Sequence, residues 1–197
     1  MMKTTFCYIS LSIFLNSNLH DVRNAVEEIY DIELHNDKAI ITQVNLDVDD
    51  FFNPPSGGSH LPKFCCWSSD RYPTMVFFVS NYEDGLSNLC KLIQKQIHGN
   101  LLMCTLSNDT ISPFNKFYYS DSSFNERIVL SYKENKWVFY ENGNPIDIED
   151  TANYKNRLIK NRLNTQIIDS YLQGFGINIR NIDEDINDCF QFTRLCW

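Results

Sequence analysis

The chain has 197 residues, of which 43% are hydrophobic and 14% aromatic, which suits one folded domain with a sizeable core and excludes a disordered chain. The formal net charge of −8 opposes non-specific binding to the phosphates of nucleic acid. No apolar run approaches the ~20 residues of a membrane span, and the seven cysteines, an odd number without a CxxC pair, are typical of reduced thiols in a cytoplasm.

The first 110 residues predict six elements in the order β-α-β-β-α-β. The alternation of apolar residues from Cys7 to Leu15 indicates a strand rather than the apolar stretch of a signal peptide. Asn18 is a good N-cap for the amphipathic helix that follows. The remaining predicted elements are strands over 40–48, 74–79 and 101–106 and a helix over 86–97. Together they predict an α+β fold with a ferredoxin-like arrangement, in which two helices cover one face of four antiparallel strands.

Residues 53–70 interrupt this order. The stretch Asn53–Ser59 is rich in proline and glycine and predicts a loop, and the same loop is expected to continue through Trp67 to Asp70. A connection of this length without regular structure is uncommon in a compact domain, so it is a place where function is expected.

Residues 111–197 are expected to extend the core of residues 1–110 within one domain, 1–197. The first part of this extension is predicted to be β-structure. It contains an extended segment over 117–119, a hairpin of strands over 127–132 and 137–140, a turn at Asn142-Gly143 and an edge strand over 145–148. The pattern then becomes helical, with a helix between its N-cap Asn164 and Gly174. The tail from Asp183 to Trp197 ends in large apolar side chains, which we expect to dock on the domain.

Acidic residues are concentrated towards the N-terminus. Between Asp21 and Asp50 there are nine carboxylates and two basic side chains. This composition is found both in a solvated helix face with strand ends and in a docking surface for a basic protein. For a docking surface, the side chains expected to contact the partner are Glu27, Glu28, Asp47, Asp49 and Asp50.

Few residues suggest chemistry. The sequence contains no GxSxG, Walker or GxGxxG motif, and its four histidines lie at none of the spacings of a zinc site. The best metal candidate is Asp47–Asp50, which reads Asp-Val-Asp-Asp, because carboxylates at a strand end can hold Mg²⁺ beside a phosphate. The best nucleophile candidate is the pair Cys65–Cys66 near His60. Both have plain structural explanations, so the sequence predicts no catalytic residue, no metal ligand and no cofactor.

Two further clusters also have structural explanations. Four bases between Lys155 and Arg162 lie on a predicted helix, where they pair with the chain's own acids or face solvent. Aromatic side chains on the strands between Tyr118 and Tyr140 are more often part of a core than a binding platform. Because the predicted central strands carry no basic residue, RNA binding is not expected.

The segment from Trp137 to Ile179 carries a resemblance to a known group of proteins. Its pattern is Trp137-x-Phe139-Tyr140-Glu141-x-Gly143-x-Pro145, then Tyr154-x-x-Arg157-x-x-x-x-Arg162, then Tyr171-Leu172-x-Gly174-x-Gly176. This pattern resembles the C-terminal part of small bacterial immunity proteins found beside secreted polymorphic or type VI toxins. The resemblance implies a bacterial protein that binds its toxin stoichiometrically, often through an acidic surface that covers a basic active site. That group shares no catalytic motif, so the resemblance transfers no functional residue.

The sequence therefore favours a non-enzymatic, cytoplasmic protein-binding protein, an immunity protein whose partner is a basic toxin domain. Neither nucleic acid nor a membrane is expected as a partner. Two alternatives stay open. One is a small enzyme that uses Asp47 and Asp49 with a divalent metal, or Cys65 and Cys66 with His60. The other is a structural protein that self-associates through its apolar C-terminal tail.

Overall fold

A computed structural model describes residues 7–197, which form nine strands in one open antiparallel sheet and four α-helices. The strands are β1 (Tyr8–Leu15), β2 (Ala39–Gln43), β3 (Lys63–Ser69), β4 (Tyr72–Ser80), β5 (Asn100–Ser107), β6 (Phe114–Ser120), β7 (Glu126–Lys133), β8 (Trp137–Asn142) and β9 (Ile186–Arg194). The helices are α1 (Leu19–Ile29), α2 (Asp31–His35), α3 (Ser87–Ile97) and α4 (Thr165–Gly174). The predicted α+β class is confirmed. The residues Met1–Lys3, which precede the apolar stretch that resembles a signal peptide, lie outside the described residues.

The strands lie in the order β2-β9-β3-β4-β1-β5-β6-β7-β8. The C-terminal strand β9 is therefore inside the sheet, and β2 and β8 form its two edges. The predicted ferredoxin-like arrangement is not confirmed, and the sheet is larger than expected. The strand predicted over 40–48 is the edge strand β2, which ends at Gln43 and is separated from β4 by β9 and β3.

Each face of the sheet has its own core, because successive side chains of a strand point to opposite faces. On one side, which we call the helical face, Phe78 of β4 packs with Val22 of α1 and Ile93 of α3. On the other side, the C-terminal face, Phe117 of β6 packs against Tyr171 of α4, with 5.2 Å between the ring centroids. Since both faces are covered, the central strands are apolar on both sides. Within residues 7–197, no helix has the length and apolar character needed to span a membrane.

Two helix starts lie where their capping residues predict them. The side chain of Asn18 accepts a hydrogen bond from the backbone N–H of Asp21 at 2.9 Å. Asn164 accepts one from the N–H of Ile167 at 3.0 Å. Each bond satisfies one of the N–H groups that the first turn of a helix leaves without a partner.

Three predictions need correction. Residues 63–69 are not loop but the buried strand β3. Residues 145–148 are not an edge strand, because the chain turns there onto the C-terminal face and the N–H of Ile146 donates to the carboxylate of Glu149 at 2.9 Å. The basic stretch forms two short 3-10 turns, Asn153–Lys155 and Ile159–Asn161, rather than an α-helix. The tail docks in part: Phe190 and Phe192 of β9 are buried on the helical face, whereas Leu195 and Trp197 remain 48% and 62% exposed.

Candidate functional site

A groove of about 690 Å³ lies on the helical face beside the edge strand β2. Its walls come from α1, α2 and β2, and the lining residues are Arg23, Glu27, Glu28, Asp31, Leu34, His35 and Ile41. Three carboxylates thus share the groove with one guanidinium, one imidazole and two aliphatic side chains. We call it the β2 groove.

The groove follows from the amphipathic pattern of α1. Val22, Ala25 and Val26 are buried against the sheet, so the charged residues at the intervening positions face outwards. At the end of α1 the ring of Tyr30 lies 4.3 Å from the ring of Phe192 in β9, measured between centroids. This contact fixes the junction between α1 and α2 above the strands next to the edge.

The charges inside the groove are bound only through exposed pairs along the helices. The Nε of Arg23 lies 2.8 Å from Oε1 of Glu27, and the Nδ1 of His35 lies 3.0 Å from Oδ1 of Asp31. Within residues 7–197, Glu28 takes part in no ion pair. Exposed pairs of this kind contribute at most ~1 kcal/mol to stability, so these carboxylates are available to cations of another molecule.

The five predicted contact residues do not form one surface. Glu27 and Glu28 lie in the β2 groove, whereas Asp49 and Asp50 lie in the 3-10 turn Val48–Phe51, which Asp47 caps. Val48 and Phe51 pack into the core of the C-terminal face, so the two groups of carboxylates lie on opposite sides of the sheet. Sequence reasoning counted Asp31 among the acids but did not single it out, although it lines the groove.

One aspartate of this stretch, Asp47, has a structural role. Asp47 caps the turn, and its side chain accepts a hydrogen bond from the N–H of Asp49 at 3.1 Å. Among residues 7–197, no group of three or more His, Cys, Asp or Glu side chains is arranged to hold a metal ion. The Asp-Val-Asp-Asp stretch is thus explained as the start of a turn.

The cysteine candidate is also explained by packing. Cys65 and Cys66 lie in β3 and are buried on opposite faces of the sheet. A hydrogen bond with Cys189 and burial raise the pKa of the Cys65 thiol, and burial raises that of Cys66, so neither thiol forms a thiolate easily. The Nε2 of His60 bonds instead to the backbone oxygen of Asn81 at 2.7 Å.

A buried charge network lies at the opposite edge of the sheet and was not anticipated from the sequence. Arg127 of β7 donates through Nη2 to Glu149 at 2.8 Å and to Glu141 of β8 at 2.6 Å. Tyr154 donates to Glu149 at 2.6 Å, and Tyr171 of α4 donates to Tyr154 at 2.9 Å. Burial opposes the charge of Arg127, but its hydrogen bonds to the two glutamates outweigh this effect and raise the pKa of the guanidinium.

This Arg127 network binds the segment after β8 to the sheet. Its charges are paired with one another, with 0% of the Glu149 side chain and 3% of the Arg127 side chain exposed. Burial raises the pKa of Tyr154, and its bond to Glu149 raises it further. The network therefore holds the segment after β8 against the sheet, and of its two glutamates only Glu141, with 41% of its side chain exposed, reaches solvent.

Three comparisons were made with known proteins, namely protein-family models, curated proteins and solved structures. None of them gave a match.

Proposed function

We propose that this chain is a non-enzymatic binding protein of the bacterial cytoplasm. In this proposal it is an immunity protein that neutralises a secreted toxin by binding its basic domain stoichiometrically. The observation that carries the proposal is the β2 groove, in which Glu27, Glu28 and Asp31 are exposed together beside an open sheet edge. The resemblance of Trp137–Ile179 to toxin immunity proteins suggests that the partner is a toxin.

Electrostatics explains why such a groove favours a basic partner. A cluster of exposed carboxylates attracts cationic surfaces during diffusion and so raises the rate of association. Its effect on affinity depends on how well the partner's cations replace water around the carboxylates. Glu27 and Glu28 are the contact residues that the groove supports. Asp47, Asp49 and Asp50 remain a second candidate surface on the C-terminal face.

We also propose that the centre of the molecule is a ferredoxin-like unit made of β1, α1, β3, β4, α3 and β5. The strand order β5-β1-β4-β3 and the packing of α1 and α3 on one face support this view. In this ferredoxin-like unit, β3 occupies the position of the second strand, which the sequence predicts over residues 40–48. The additions β2 and β9 then build the edge that carries the groove.

Site-specific crosslinking tests the binding role. A photo-crosslinking amino acid is placed at Glu28 in the groove, or as a matched control at the exposed Glu134 in the β7–β8 turn, in cells that produce the protein. We expect the Glu28 position alone to capture one basic protein at a 1:1 ratio. Equal capture at both positions, or an acidic captured protein, would contradict the role of the groove.

Growth measurements test the neutralising role separately. Production of the captured protein alone should arrest growth, and co-production of this chain should restore it. If the captured protein is harmless, the toxin-neutralising part of the proposal is wrong while the binding role stands.

A further inference from the structure

We infer that the β2 edge is a docking strand. A basic segment of the partner adds to the nine-stranded sheet antiparallel to β2, and its basic side chains enter the β2 groove. The inference rests on the proposed binding function and deepens it, because it names the backbone groups that hold the partner and the sequence pattern that the partner carries.

The hydrogen bonds between β2 and β9 show which backbone groups point outwards. The N–H of Leu195 donates to the oxygen of Lys38 at 2.7 Å, and the N–H of Val44 donates to the oxygen of Cys189 at 3.2 Å. In an antiparallel ladder every second residue bonds to the neighbouring strand, so the even-numbered positions 38 to 44 face β9. The N–H and C=O groups of Ala39, Ile41 and Gln43 therefore face away from the sheet, and no described residue is hydrogen-bonded to them.

The edge strand β2 is short, with five residues, but it lacks most of the other features that prevent strand addition. Exposed edges are commonly blocked by a lysine or proline within the strand, by a β-bulge or by a covering segment. The sequence of β2 is Ala-Ile-Ile-Thr-Gln, and its pairing with β9 is regular from Ala39 to Gln43. A partner strand thus meets the unpaired donors and acceptors of Ile41 and Gln43, whereas Ala39 at the start of β2 is buried, with 3% of its surface exposed.

Side-chain alternation gives the sequence pattern of the incoming strand. The side chain of Ile41 lines the β2 groove, so partner side chains on the same face stand beside Glu27, Glu28 and Asp31 and are expected to be basic. On the other face they lie beside Ile40, which is 41% exposed, and are expected to be apolar. The partner segment therefore alternates lysine or arginine with aliphatic residues.

Charge also distinguishes this partner from a second copy of the chain. Antiparallel pairing of two β2 strands places both helical faces on the same side of the joined sheet. The two acidic grooves would then be neighbours, and like charges at close range disfavour association. A basic segment of another protein has no such penalty.

Amide hydrogen exchange followed by NMR tests the inference on the wild-type protein. The probe is a synthetic heptapeptide, Lys-Val-Lys-Val-Lys-Val-Lys, and its control is the same peptide with glutamate in place of lysine. We expect the basic peptide to slow exchange at Ile41 and Gln43 by at least about tenfold, with little change at the buried Ala39 or at Ile40 and Thr42, whose amides already bond to β9. The acidic peptide should have no effect. Binding of the basic peptide without protection of the Ile41 and Gln43 amides would overturn the inference.

A pair of variants tests the same point with the captured partner. Ile41→Pro removes one outward N–H without removing a bond to β9, whereas Ile41→Ala removes the side chain and keeps the N–H. We expect the proline variant to bind at least about tenfold more weakly than the alanine variant, with similar thermal unfolding midpoints. Equal affinities would overturn strand addition. Replacing the groove carboxylates by neutral residues tests the binding function separately. If that change still slows association while the proline and alanine variants bind equally well, strand addition is wrong and the binding function stands. A dimer in sedimentation that the proline variant abolishes would instead assign the edge to a second copy.

Discussion

The two edge strands of the sheet differ in how the rest of the chain uses them. At β8, Phe139 lies 5.5 Å from the ring of Tyr154 between centroids, and Glu141 is bound by the buried Arg127. In the β2 groove, Glu27 and Asp31 pair only along their own exposed helices. Acidic side chains thus have two different roles in one molecule. At β8 they close the fold, and at β2 they remain open to another molecule.

The largest expected effect lies at the closed edge. Glu149→Gln leaves the Arg127 charge buried without its main partner, and breaking a buried pair from one side costs about 3–5 kcal/mol. The matched change at the open edge, Glu28→Gln, should alter the free energy of unfolding by less than ~0.5 kcal/mol. Urea denaturation of both variants measures the difference. Similar free energies of unfolding for the two variants would remove the distinction between the edges.

The turn that leaves β8 gives the next largest effect. Gly143 has a φ of +83°, and a Cβ there would overlap the backbone oxygen of Glu126. Gly176 has a similar φ of +78°, but it has open space around its Cα. We expect Gly176→Ala to cost about 1–2 kcal/mol from backbone strain alone, and Gly143→Ala to cost clearly more in the same urea experiment. Equal costs would mean that this turn is not packed against β7 as described.

A smaller effect should come from an exposed pair near β8. Hydrogen bonds from Lys91 and from Tyr118 lower the pKa of Glu126 below its ordinary value of 4.5. A carboxyl group whose pKa is lowered by folding stabilises the protein above its unfolded pKa, and this contribution is lost as the pH falls through the folded pKa. Since half of the Glu126 side chain is exposed, the contribution should stay below ~1 kcal/mol.

The pH dependence of unfolding measures that contribution. Comparison of the wild type with Glu126→Gln in urea at pH 7 and near pH 3 should give a small difference in the free energy of unfolding at pH 7 that shrinks in acid. A difference that grows in acid would contradict the lowered pKa. If the free energies of unfolding differ by several kcal/mol at pH 7, the Lys91–Glu126 pair contributes as much as a buried ion pair, which would contradict its description as an exposed pair.

Local signals explain which elements the sequence predicts correctly. The N-caps Asn18 and Asn164 and the apolar stripes of α1, α3 and α4 depend on neighbouring residues only, and these helices lie where expected. The alternation in β1 and the apolar run in β4 are local in the same sense. Such patterns identify an element but not its place in a sheet.

Non-local pairing explains the elements that were missed. Strand β3 follows a stretch rich in proline and glycine and is apolar on both faces, so no alternation separates it from the loop before it. Strand β9 was expected only as a docked tail, because its insertion between β3 and β2 depends on residues more than a hundred positions away. Residues 145–148 lead into Glu149, which is bound to Arg127, and so they leave the edge of the sheet. Neither Arg127 nor Glu149 belongs to a sequence motif, so the sequence does not predict this bond.

The candidate site was predicted in part for the same reason. Glu27 and Glu28 were named from charge density, and they do lie together on α1. Asp47, Asp49 and Asp50 were named with them because they are close in sequence, but the chain crosses to the other side of the sheet after β2. Charge counted along a sequence does not record that crossing.

The rate of association with the captured partner tests the central claim most directly. One variant neutralises the groove with Glu27→Gln, Glu28→Gln and Asp31→Asn, and its matched control neutralises the turn with Asp47→Asn, Asp49→Asn and Asp50→Asn. At low ionic strength we expect the groove variant to associate about tenfold more slowly than the wild type, with the difference fading at high salt, and the turn variant to stay within about twofold. An unchanged rate for the groove variant, or the same loss for both variants, would contradict the account.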